Sequence, residues 1–154
     1  MSVFRRIVYC LFSILIGGAA MTTHAAEQHT FTQPITQAFA DDFAREWVAA
    51  WNSHDIERIL SHYSDDFEMA SPLIAQRGFS ATGSLKGKEA VRAYWTPAVG
   101  PGSMLQFELI QALVSVDSIA IHYRSGTRVC VEVVSFNDQG MVTAGAAHYY
   151  PAIE

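Results

Sequence analysis

The sequence predicts an α+β fold, with helices first and antiparallel hairpins after. Three observations carry this reading. Phe39, Phe43, Trp47 and Trp51 recur every fourth residue, which stacks four aromatic side chains on one helical face. Gly100-Pro101-Gly102 then breaks the chain. Beyond that break, runs of β-branched and aromatic residues alternate with short turns, the pattern of successive hairpins.

The elements follow in order. Residues 1–25 have the layout of a secretory signal peptide: Arg5 and Arg6, an apolar run over residues 7–20, and the small-residue site Thr23-His24-Ala25. The run is shorter than the roughly 20 residues of a membrane-spanning helix. The mature chain is therefore expected to be secreted or periplasmic, with no membrane association. Residues 26–34 read as a polar linker and residues 35–150 as one domain, whose first helix starts near Pro34. Asn52, Ser53, His54 and Asp55 interrupt the aromatic stripe. Asp55 caps a second helix with Ile56, Ile59, Leu60 and Tyr63 on its apolar face. Ser64, Asp65 and Asp66 read as a turn before a strand over residues 67–70. Residues 72–85 read as a loop, with room for a strand-like piece around Phe79. The third helix is expected to stop before Pro97, because a residue preceding proline is pushed away from helical angles. Strands are expected over residues 104–116, 119–124, 127–136 and 141–149.

Composition narrows the function. A length of 154 residues favours a single domain, and a hydrophobic share of 50 % is too high for a disordered chain. The net charge is −5, and loss of Arg5 and Arg6 leaves 8 basic against 15 acidic residues. The basic residues are scattered, which argues against nucleic acid or an anionic membrane surface as partner. Of the two cysteines, cleavage removes Cys10, so Cys130 has no partner for an intrachain disulfide. It sits in an apolar run and reads as a buried thiol.

The pattern W-V-A-A-W-N-S-H-D, the apolar helix after it, and Y-S-D-D-F together resemble the SnoaL-like branch of the nuclear transport factor 2-like superfamily. Residues 87–95, G-K-E-A-V-R-A-Y-W, resemble that family's third helix, and residues 133–140, V-V-S-F-N-D-Q-G, its last hairpin. The resemblance covers residues 39–150. It implies a cone-shaped barrel in which three N-terminal helices pack on a strongly curved, mainly antiparallel sheet. It also implies back-to-back homodimers, and it covers ketosteroid isomerases, polyketide cyclases, dehydratases and non-catalytic binding modules alike. Fold is therefore better defined by it than reaction.

Glu132 is the sharpest candidate for chemistry. It is a carboxylate within a run of Val and Cys, and burial would hold it protonated, ready to donate a proton or a hydrogen bond. By the resemblance it falls where ketosteroid isomerases carry the acid that stabilises the enolate. The alternative places it on the outer face, paired with Arg124 or Arg128. The isomerases' oxyanion-hole tyrosine falls at Trp47 and their aspartate base at Ser71, so orthodox steroid isomerisation is not expected. Trp47, Tyr63, Ser71, Tyr94 and Trp95 match pocket positions that suit a flat or cyclic apolar ligand. Phe39, Phe43 and Trp51 read as ordinary core. His148, on the last strand, is a second catalytic candidate, as base. Asp65 and Asp66 read as a structural turn, and His54, His62 and His122 as surface or backbone-bonded. No metal-ligand spacing, phosphate loop, nucleophile elbow or dinucleotide fingerprint occurs, so neither metal nor cofactor is expected. Two functions remain: a cofactor-free acid–base isomerase, cyclase or dehydratase acting on a small apolar molecule, or a non-catalytic ligand-binding or protein-interaction module. Both faces of the strand around Val129, Val131 and Val133 are apolar, so a homodimer through the sheet is expected as well.

Overall fold

The computed structural model describes residues 34–153. The expected signal peptide, Cys10 and all but the last residue of the expected linker lie outside them.

Helix α1 (Gln37–Asn52) starts where the Thr36 hydroxyl accepts the Phe39 N–H, three residues later than the proline suggested. Its stripe divides along its length: Phe39 and Phe43 meet Phe136 edge-on, whereas Trp47 and Trp51 are buried deeper. The Asn52–Asp55 corner then does three jobs. The Asn52 side chain brackets Phe107, donating to its carbonyl at 2.9 Å and accepting its N–H at 2.7 Å. His54, at a φ of 59°, meets the Leu105 carbonyl at 2.7 Å. Asp55 accepts the Glu57 and Arg58 N–H groups and so starts α2 (Ile56–Leu60). This one tetrapeptide ties the helices to the strand that follows much later.

Strand β1 (Tyr63–Ala70) begins where a turn was expected. Ser64, Asp65 and Asp66 lie within it, at an irregularity in its register against the last strand. A bulge absorbs polar residues that a flat ladder would point inward. Residues 72–85 are likewise more ordered than a loop. Ser71 accepts the Leu73 N–H and Pro72 occupies the first turn of α3 (Pro72–Gln76), a one-turn helix beyond the three expected. Strand β2 (Ser84–Lys86) follows. Phe79 is not in a strand; its ring meets Tyr94 edge-on. Helix α4 (Lys88–Val99) runs through Pro97. So near the helix end, the proline forfeits only the bond to the Ala93 carbonyl, and Val99 is held by burial in the core.

Strands β3 (Phe107–Val114), β4 (Ser118–Ser125), β5 (Arg128–Phe136) and β6 (Val142–Tyr150) form consecutive antiparallel hairpins. The six strands run in the order β2-β1-β6-β5-β4-β3, and the β1–β6 pair alone is parallel. This is a curved, unclosed sheet with helices over its concave face, consistent with a cone. Along β4, Ile119, Ile121 and Tyr123 face inward; along β5, Cys130, Glu132, Val134 and Phe136 do. The helices close over that face and leave a cavity between them and the sheet.

Candidate functional site

The cavity measures about 440 Å³, within the range of small-molecule sites. Trp47 and Trp51 from α1, Tyr94 and Trp95 from α4, and Phe107, Tyr123 and Tyr149 from the sheet wall it. Trp47 stacks on Phe107 with centroids 5.6 Å apart, and Trp51 meets Trp95 edge-on at 5.0 Å. A wall of fixed aromatic faces of this kind fits a flat apolar body better than a flexible chain.

Glu132 lines this cavity and is 5 % exposed. Register puts it between Ile121 and Ala147, on the inner face. Among the described residues no cation or hydrogen-bond donor meets its carboxyl; Arg124 instead pairs with Glu108 on the outer face. Desolvation therefore acts unopposed and pushes its pKa from 4.5 up to about 8. At neutral pH the group is chiefly the neutral acid, which donates.

The other residues singled out in the sequence divide into three groups. Trp47, Tyr94 and Trp95 line the cavity with Glu132. Tyr63 and Ser71 stand behind its wall. The fully buried Tyr63 hydroxyl accepts the Trp47 Nε1–H at 2.7 Å, and burial, then Glu132, raise its pKa. Ser71 caps α3 and is hydrogen-bonded to the Tyr149 hydroxyl at 3.1 Å, so it braces the wall. Burial pushes Tyr149 up to about 12, against the lowering influence of that serine. His148 is not brought to the site. It pairs in register with Val131 on the outer face, is exposed, and bonds locally to the Ala146 carbonyl.

Asp65 and Asp66 lie outside the cavity lining; Asp65 pairs with Lys88 at 3.0 Å and Asp66 accepts the Ser64 hydroxyl. No cluster of His, Cys, Asp or Glu suited to a metal occurs among the described residues. Cys130 is buried beside Glu132, and desolvation raises its thiol pKa, so it is an inert wall group.

The structure adds residues that the sequence did not single out. Trp51, read as core, lines the cavity, and its buried Nε1–H completes no hydrogen bond, although it approaches the Tyr63 hydroxyl. Arg77 and Arg128 also line it. The signal for Arg128 was present: it lies two and four residues before Cys130 and Glu132, on the same strand face.

Comparison with known proteins gives a consistent picture. Residues 44–150 match the model of the SnoaL-like domain. A SnoaL-like protein of unknown function from Burkholderia thailandensis, known as a crystal structure, is 51 % identical, with a TM-score of 0.72 over 76 % of this chain and 98 % of that one. Bal32a, from a soil-derived mobile gene cassette, is 24 % identical over 75 % of this chain and 93 % of its own, with a TM-score of 0.59. An NTF2-like protein of unknown function from Cytophaga hutchinsonii is 11 % identical over 78 % and 95 %, with a TM-score of 0.55. The last two speak to fold alone. No curated protein matches the chain.

Proposed function

The chain belongs to the SnoaL-like family of the nuclear transport factor 2-like superfamily, and on that premise we propose that it binds a small apolar cyclic molecule and acts on it as a cofactor-free acid. The observation that carries this is Glu132: a carboxyl without a partner among the described residues, desolvated, with a pKa near 8, in the wall of an aromatic cavity. Such a group donates a proton or a short hydrogen bond to a carbonyl or a departing hydroxyl, which suits isomerisation, cyclisation or dehydration. The Trp51 Nε1–H is a second donor that completes no hydrogen bond among the described residues.

A second reading is binding without turnover. The absence of His148 from the cavity supports it, because the acid then has no histidine base opposite it. Crystals of the protein soaked with apolar cyclic metabolites test the first reading. It expects density within hydrogen-bonding reach of Glu132, and turnover that falls roughly 10²-fold in Glu132→Gln while binding persists. Bound ligand with no turnover by either protein would leave the binding module.

Export and dimerisation are part of the proposal. Export rests on the layout of residues 1–25. No helix among the described residues is long and apolar enough to cross a membrane. A homodimer through the outer sheet face is supported by Leu113, 51 % exposed, in register with Ala120, Val133 and Ala146 across the hairpins. N-terminal sequencing of exported protein and light scattering at micromolar concentration test the two. Intact Met1 in the soluble fraction, or a monomer mass, would overturn them.

A further inference from the structure

Eight lysines and arginines lie among the described residues, and six of them are neutralised by a carboxylate. The two that are not are Arg77 and Arg128, and both line the cavity. In a chain with excess acid, chance would leave surface carboxylates unpaired rather than concentrate the spare cations in the lining of one cavity. Each guanidinium also has a defined seat. Arg77 lies over the Tyr94 ring at 5.7 Å and Arg128 over the Tyr149 ring at 5.8 Å. Tyr149 is hydrogen-bonded to Ser71 and Tyr94 also interacts with it, so the two rings that carry the cations meet at one residue. Among the described residues, Glu132 is the one acidic side chain in the lining.

We propose that the ligand of this cavity is an apolar cyclic carboxylate, with its anionic end held by Arg77 and Arg128 and its ring system among the tryptophans. This inference rests on the reading of the cavity as a small-molecule site and names the chemical class that the site selects. Guanidinium groups suit the task, since their planar donors match a carboxylate two atoms at a time. Burial of Glu132 in its neutral form removes the charge that would otherwise repel such a ligand.

All three tryptophans of the chain, Trp47, Trp51 and Trp95, line the cavity, so its intrinsic fluorescence reports occupancy directly. The experiment titrates the protein at pH 7 and low salt with 2-naphthoate and with its neutral isostere 2-naphthamide. Naphthoate is expected to bind about tenfold more tightly, with the advantage shrinking as salt is added. In the double variant Arg77→Gln/Arg128→Gln the two ligands should bind alike, at the amide's unchanged affinity. Equal binding of the two ligands to the parent protein, or an anion advantage that survives the double variant, would overturn the carboxylate assignment and leave the apolar site standing. No quenching by either ligand would overturn the small-molecule reading itself, and the carboxylate with it.

Discussion

Gly145 on β6 leaves the space in which the Glu132 carboxyl sits. A Cβ at position 145 would lie 3.4 Å from Glu132 Oε1 and 3.1 Å from Phe67 Cζ. The glycine is used here for its missing side chain rather than for its backbone freedom. It lets one strand present a carboxyl to the cavity while the neighbouring strand stays in register.

Gly145→Ala should therefore be felt in the core. Phe67 is fully buried and packs on Tyr63 and Trp95, so its ring has nowhere to retreat. The expected cost is ~1–3 kcal/mol, read as a fall of several degrees in Tm. An unchanged Tm would mean that Phe67 repacks freely.

Stability should depend on pH through Glu132. Its folded pKa is raised from 4.5 to about 8, so the folded state holds the proton more tightly than the unfolded chain. Its contribution is then most favourable below the ordinary value, is lost as pH rises through about 8, and is flat above. The groups that face it, Tyr63, Tyr94, Tyr123, Tyr149 and Cys130, all have raised pKa values and stay chiefly neutral in that window. Glu132→Gln removes the titration. The variant should match the parent near pH 4 and exceed its stability near pH 8 by on the order of 4 kcal/mol. Parallel Tm–pH curves for the two proteins would contradict this.

The Trp47–Tyr63 hydrogen bond should appear as a coupling energy. Trp47→Phe strands a buried hydroxyl, at ~1–3 kcal/mol, and Tyr63→Phe strands a buried indole N–H. The double variant loses both partners and should cost less than the two single changes combined. Additive denaturant midpoints would show that the bond contributes nothing.

Asn52→Ala should loosen the cavity wall from a distance. Both backbone groups of Phe107 lose their partner at once, a loss of ~2 kcal/mol. Phe107 stacks on Trp47, so the fluorescence of the free protein should shift as well. An unchanged emission spectrum would place the damage elsewhere.

The sequence revealed elements wherever periodicity was strong. The four-residue spacing of Phe39 to Trp51 has one regular explanation, and the hairpin strands alternate between clear turns. It misled at Ser64-Asp65-Asp66, where turn-like residues occupy an irregular exposed stretch of strand, and at Pro97, where tertiary burial of Val99 outweighs one lost bond. Ser71-Pro72 carried a cap-and-first-turn signal that was read as loop. The site was half legible. Alternation places Glu132 with Cys130 and Phe136, but β5 is apolar on both faces, and register with Ile121 and Ala147 is what decides the inner one. Arg77 was illegible, and Arg128 was legible only by its place on the strand face of Cys130 and Glu132. Their meaning lies in the ion pairs that the other six cations make across distant elements.

Whether Glu132 is a buried neutral acid decides most of the chemistry argued above. The direct measurement is a carboxyl titration of Glu132 by NMR on the protein, with Glu132→Gln to identify the signal. A midpoint near 8 is expected, with the group still protonated at neutral pH. A midpoint near 4.5, the ordinary glutamate value, would mean that water or an unrecognised cation reaches the carboxyl. The case for acid catalysis in this cavity would then be lost.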